Sequence, residues 1–376
     1  MNLLELPVEI LFLTADNLEP TTDAGQRDIS SLSRTTKHLH DLLTPYLYRN
    51  NASEFHQSSA LIWAAKHGKE ATAKLSLQNG ANPQASERRK SALQFASKHG
   101  HATVVKLLLQ SNAAVPGDQW PLLDAVTNAR EEVVELLLEN DCFDPNKRGP
   151  FGRTPLAVAT SYGHWGVVKL LLDKMKANTE FDIKSGLIAL YLAAEQGHEE
   201  TVKLLLDAGV FDPNSNDFMP IVAACRSKRE GVVRLFLERM DTNPIPRAKI
   251  AGLSLSAAVD GRDIGILRLL LGVEGVDPNV RDEQGCTALM IAVAKRYPGM
   301  ELIKLFLDDG RVHPDVKNND GQTPLSIAAM FGHRDIVELL LARDDVDRHS
   351  RSNTGWTPLE YATDEGHGEI AQLLKG

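Results

Sequence analysis

The sequence predicts an all-α fold: a solenoid of about ten helix-turn-helix repeats with short β-hairpin-like loops, preceded by a small three-helix segment. Three observations predict it. One phrase recurs along the chain, as TPLAVATSYGHWGVVKLLL from Thr154, TPLSIAAMFGHRDIVELLL from Thr323 and TPLEYATDEGHGEIAQLLK from Thr357. Equivalent starts fall at Ser59, Ser91, Trp120, Thr154, Ile188, Met219, Leu253, Thr287, Thr323 and Thr357, 29 to 36 residues apart, and a fixed period of this size marks a repeat array. The connecting stretches repeat as well, in Asp144-Pro145-Asn146, Asp212-Pro213-Asn214 and Asp277-Pro278-Asn279.

Residues 1–50 stand outside the period. Leu6-Pro7-Val8-Glu9-Ile10-Leu11 opens a helix, with Pro near its first position and Glu in its first turn, both favourable there. A polar break from Pro20 to Arg27 leads into Asp28–Leu43, a second apolar-periodic run. Pro45 stops it, because the residue before proline is pushed out of the α region, and Tyr46-Leu47-Tyr48-Arg49 follows. Three short helices bury little surface alone. The order LPVEIL, DISSLSRTTKHLHDLL, PYLYR over residues 3–49 resembles an F-box, a module that docks on the Skp-type adaptor of cullin-RING ubiquitin ligases. The resemblance implies adaptor contacts from Leu6, Pro7, Ile10, Leu11, Leu32 and Leu39, with Leu43, Tyr46, Leu47 and Tyr48 closing the module. The residues themselves equally allow a plain cap on the apolar end of the array.

Residues 55–376 carry the repeats, and the fourth shows how one is built. Thr154-Pro155 starts a helix, since Pro gives up an N–H that has no partner in the first turn. Leu156, Ala159 and Thr160 recur at helical spacing, and their small members let neighbouring helices approach closely. Gly163 ends the helix. A second helix follows with Val167, Val168, Leu170, Leu171 and Leu172 as its apolar stripe. Asp, Asn, Pro and Gly in the returns, as in Glu283-Gln284-Gly285 and Asn319-Asp320-Gly321, suit tight turns. One pair cannot hide its stripe, so neighbours must stack. Ser76 and Lys375 replace members of the Leu triplet in the terminal repeats, as polar caps would. These residues resemble the ankyrin repeat family, whose TPLH tetrapeptide they alter: its His is replaced by Ile62, Gln94, Leu123, Ala157, Tyr191, Val222, Ser256, Met290, Ser326 and Glu360. The hydrogen-bond network of that His is therefore expected to be missing, at a cost in repeat stability.

Composition limits the function. The net charge is −9, from 41 Lys+Arg against 50 Asp+Glu, which argues against direct nucleic-acid or anionic-membrane binding. Cys142, Cys225 and Cys286 are far apart and form no CxxC pair, which points to a reducing compartment, cytoplasm or nucleus. The apolar start carries Glu5 and Glu9 without a basic leader, and no membrane-length apolar run occurs. No hydrolase, P-loop, zincin or dinucleotide motif is present, so no enzyme, cofactor or metal is expected. His101, His164, His198, His333 and His367 recur after Gly once per repeat, a structural position rather than a convergent metal site.

What remains is protein binding. Loop aromatics Trp120, Phe151, Phe181, Phe218 and Trp356 are candidates for gripping a target; each alone also reads as packing on its own loop. The tip Arg88-Arg89-Lys90 reads as solvated, and the lengthening at Arg296-Tyr297-Pro298 as a specialised loop. Two functions follow: a substrate receptor that links a target to the ubiquitin-ligase adaptor, monomeric outside its complex, or an ankyrin-type regulator or transcription co-regulator with residues 1–50 as a cap.

Overall fold

The computed structural model describes residues 59–149, 152–177, 183–210, 219–240 and 244–376. The three-helix segment 1–50 and the candidates Phe151, Phe181 and Phe218 lie outside them. The chain divides into two compact units, Met1–Asp182 and Ile183–Gly376.

In the N-terminal unit the helices come in pairs: α1 Ser59–His67 and α2 Glu70–Gln78, α3 Ala92–His99 and α4 Ala102–Gln110, α5 Trp120–Thr127 and α6 Glu131–Leu138, α7 Pro155–Ser161 and α8 Trp165–Ala177. The first helices pack side by side, α1 on α3 on α5 on α7, and the second helices form a parallel row behind them. Small residues set that spacing: Ala64, Ala65, Ala96, Ala125 and Ala159 are fully buried beside Leu61, Leu93, Leu122 and Leu156. Val104, Val105 and Leu108 of α4 meet Val133, Val134 and Leu137 of α6 to form the second layer. Each such leucine contributes roughly 1.5–3 kcal/mol by leaving water. Between α2 and α3, β1 Ser86–Glu87 and β2 Lys90–Ser91 pair antiparallel.

The C-terminal unit repeats the plan with α9 Ile183–Gln196, α10 Glu199–Asp207, α11 Met219–Arg226, α12 Glu230–Arg239, α13 Pro244–Gly261, α14 Ile264–Leu271, α15 Ala288–Val293, α16 Met300–Asp308, α17 Pro324–Met330, α18 Arg334–Leu341, α19 Pro358–Asp364 and α20 Gly368–Lys375. Two helices begin earlier than the periodicity predicts, α9 ahead of Ile188 and α13 ahead of Leu253. Neither position has a Ser or Thr cap, nor the Pro that follows Trp120 and Met219, so nothing local fixes a helix start there.

Where the cap is present it works through its hydroxyl. Ser91, Thr154, Thr287, Thr323 and Thr357 each accept a hydrogen bond from the backbone N–H three residues on. At two of the ten altered tetrapeptides a different side-chain bond is made. Gln94 and Glu360, standing where the family has His, return a bond to the backbone N–H of Ser91 and Thr357 and complete capping boxes. Ser326 instead pairs its hydroxyl with that of Thr323 at 3.2 Å. A correction concerns Ser76: it is buried at the second-helix layer with its hydroxyl unpartnered, whereas Lys375 is exposed as a terminal cap should be.

Candidate functional site

The histidine that follows Gly is the N-cap residue of the second helix, yet its ring caps nothing there. It points to the preceding repeat. In the N-terminal unit, His101 Nε2 lies 3.1 Å from the Lys66 carbonyl and His164 Nε2 lies 3.0 Å from that of Thr127. In the C-terminal unit, His367 Nε2 lies 3.1 Å from the Met330 carbonyl. Where the sequence has Arg instead, the guanidinium does the same: Arg130 Nε donates to Lys98 O at 3.3 Å, and Arg229 Nε to Glu195 O at 3.1 Å. These side chains satisfy carbonyls left open at the end of each first helix. His333 is the exception, with a buried Nε2 that makes no hydrogen bond. The Lys295 backbone, in the lengthened stretch after α15, is close enough to this ring to oppose the lowering of its pKa.

Three of these histidines also meet a ring from the residue two positions before them. The residue before Gly stacks on the ring that follows it: His99 on His101 at 6.0 Å, Tyr162 on His164 at 5.7 Å, Phe331 on His333 at 6.1 Å. Tyr162 and Phe331 are largely exposed, as are Trp63, Trp165 and Tyr297. Aromatics exposed at the ends of the first helices were not singled out from sequence. The signal was available one position before three of the five Gly-His pairs, at His99, Tyr162 and Phe331.

Of the predicted target-binding residues, two can be placed. Trp120 opens α5 at 38% exposure, its backbone N–H donating to the Asp118 carboxylate. Trp356 is 37% exposed and leans on Tyr361, with ring centroids 5.2 Å apart. They lie in different compact units. The adaptor residues Leu6, Pro7, Ile10, Leu11, Leu32, Leu39, Leu43 and Tyr46 lie outside the described residues.

Exposed rings and charges meet on α1 and α3. Trp63 is 48% exposed and stacks on His67 at 4.7 Å. Lys66 lies between them in sequence, 4.7 Å above the Phe95 ring and paired with Glu87. Lys98 and His99 follow on α3. His99 is held below the usual histidine value, first by burial and then by His101, Lys98, Arg130 and His67. Asp124 on α5 shows the same field: burial raises its carboxyl, and Lys90 and Lys98 pull it back.

Among the described residues nothing resembles a reaction centre. Among the described residues no group of His, Cys, Asp and Glu is placed to hold a metal ion. Burial, then Asp263, pushes the Cys225 thiol up to about 12, and burial also raises Cys286, so neither is poised as a nucleophile. The clefts of about 220 Å³ beside Val259, Tyr297 and Met300 and about 270 Å³ beside Arg268 and Asp308 fall below the roughly 300–1,000 Å³ of small-molecule sites. Among the described residues no helix is long and apolar enough to cross a membrane.

Comparison with known proteins agrees with the geometry. A family model described as ankyrin repeats (three copies) matches residues 34–119, 112–184, 176–246, 254–350 and 296–376. A curated relative, the putative ankyrin repeat protein YahD of Escherichia coli (strain K12), is 27% identical over 127 residues. That stretch is 33% of this chain and 62% of the relative, less than two thirds of the relative's length.

Proposed function

The chain belongs to the ankyrin repeat family, whose repeats are protein-interaction scaffolds and generally not enzymes, and from that premise we propose that it is a substrate receptor. Residues 3–49 dock on a Skp-type ubiquitin-ligase adaptor, and the repeats hold the target. The chain then contributes proximity, while other subunits carry the chemistry. The observation that carries this reading is a docking-type segment joined to a long binding array with only residues 50–58 between Arg49 and Ser59. Three isolated cysteines support a cytoplasmic or nuclear setting.

A second reading, a regulator in which the segment only caps the array, is favoured by one finding. The ankyrin match begins at residue 34, inside the F-box-like stretch. Capture by a purified Skp-type adaptor separates the two. The receptor reading expects the full chain to be retained, and retention to be lost with Ile10→Asp or Leu39→Asp while the far-UV circular dichroism stays helical. No retention of the wild type, or equal retention of the variants, sinks it.

A further inference from the structure

Charge is segregated along this chain. Residues 59–110 carry eight Lys or Arg against only Glu70 and Glu87, a net of +6 in a protein of net −9. Lys69, Lys74 and Lys106 go with the second helices, whereas Lys66, Arg88, Arg89, Lys90 and Lys98 lie on α1, the β1–β2 turn and α3. Arg130 Nε donates to the Lys98 carbonyl at 3.3 Å, which brings that guanidinium to the end of α3, and Lys90 and Lys98 both act on Asp124. At the tip of the β1–β2 turn Arg88 and Arg89 are both exposed. On the same face Trp63 presents nearly half its surface to solvent, and Phe95 is half-buried beneath Lys66.

We propose that the face formed by α1, α3 and the β1–β2 turn binds an acidic segment of a partner protein. The partner's carboxylates meet Lys90, Lys98 and Arg130, and one of its apolar side chains packs on Trp63. Charge complementarity selects the sign of the partner, and the exposed ring supplies the buried anchor that charges alone lack, because rim ion pairs set encounter and specificity more than affinity. Length selects a peptide over a nucleic acid. Immediately after Arg130, α6 exposes Glu131, Glu132 and Glu135, with Glu139 exposed at its end. A short acidic segment ends before them, whereas a continuous phosphate backbone runs into their field. Outside residues 59–110 the chain carries net −15, which opposes any long polyanion.

This inference rests on the reading that the array binds proteins, but not on the adaptor, so the two fail separately: capture by the adaptor is read at Ile10 and Leu39, and this face at Trp63 and Lys98. The test is fluorescence anisotropy of the full chain with a labelled peptide alternating Glu and Phe, against the same peptide with Gln for Glu. We expect the Glu peptide to bind at least about tenfold more tightly than the Gln control, and more weakly as salt rises. Trp63→Ala and Lys98→Glu should each weaken it by about tenfold or more, and the exposed change Lys90→Glu should lower affinity with no effect on the helical signal. Phe331→Ala, in the other unit, should leave it unchanged. Equal affinity for the two peptides, or for wild type and variants, overturns the proposal. So does tighter binding of an oligothymidylate, or a dimer in light scattering that Trp63→Ala dissolves, since these assign the face to a nucleic acid or to a second copy.

Discussion

At the scale of single residues, most repeats end their first helix on a left-handed glycine, such as Gly100 at φ 80° or Gly332 at φ 75°. Three others place a side chain in the same turn: Ala129, Lys228 and Arg262 sit there at φ 53°, 59° and 54°. A side chain there costs about 1 kcal/mol, so Ala129→Gly and Lys228→Gly should each stabilise the fold by about that amount. Urea denaturation checks it, and a loss of stability in both would refute the strain argument. Residue chemistry also sets a pH dependence. Burial, followed by cationic neighbours for His99 and by His367 for His333, holds both rings below their ordinary value, although the Lys295 backbone opposes this at His333. The unfolded chain then takes up protons that the folded chain refuses. Stability is full above the unfolded value of 6.5 and falls as pH drops through it toward the folded values. Asp124 and Asp315, raised chiefly by burial, act with the opposite sign from 3.8 upward, so a single titration mixes the two. His333→Gln isolates the histidine contribution: its urea midpoint should change less between pH 7 and pH 5 than that of the wild type.

At the scale of elements, the sequence is legible where local chemistry decides and silent where neighbours decide. The Ser or Thr cap, the proline after it and the apolar stripes could be read directly, because each acts within one helix. The starts of α9 and α13 could not, since without a cap the boundary is left to packing. Nor could the role of Gln94 and Glu360: the comparison with the family's His hid that an amide or carboxylate three residues past a Ser or Thr closes a capping box. The histidines were legible as structural, but not as staples, because their acceptors lie 35 to 37 residues away. The turns show the same limit. In Asn319-Asp320-Gly321 the sequence announces a turn, yet its worth comes from stacking on the next one. Asn353 donates its backbone N–H to Asp320 O at 2.9 Å and its amide to Asn319 O at 2.8 Å. A Cβ on Gly321 would sit 2.7 Å from the Asn353 backbone nitrogen, at a φ of 77°. Gly321→Ala should therefore cost about 2 kcal/mol or more, from left-handed strain and a broken stacking contact together. The matching Gly355→Ala, whose added carbon meets nothing, should cost only the backbone part. Equal losses in the two variants would show that the stacking contributes nothing.

At the scale of the whole molecule, an array of this kind has no single core, so stability is a sum of repeat and nearest-neighbour contributions. That follows here from where the large side chains lie. Leu137 of α6 is fully buried, and α6 packs between α4 and α8. Removing its side chain by Leu137→Ala should cost about 2–5 kcal/mol, a range set by how far the site can collapse. In a closed globule that loss would weaken every buried amide alike. In a stack it should act locally. Amide hydrogen exchange should accelerate in α4, α6 and α8, while α17 to α20 keep their protection. The same experiment on the wild type should find the third, sixth and seventh repeats exchanging fastest, because they combine a non-glycine left-handed turn with the absence of the Thr-Pro start. Uniform acceleration along the chain in Leu137→Ala would mean that the repeats fold as one cooperative body, and the additive picture would have to be abandoned. Local acceleration has a functional consequence. A partner that bridges several repeats then stabilises the weak ones by mass action, so binding and ordering of the array are one equilibrium.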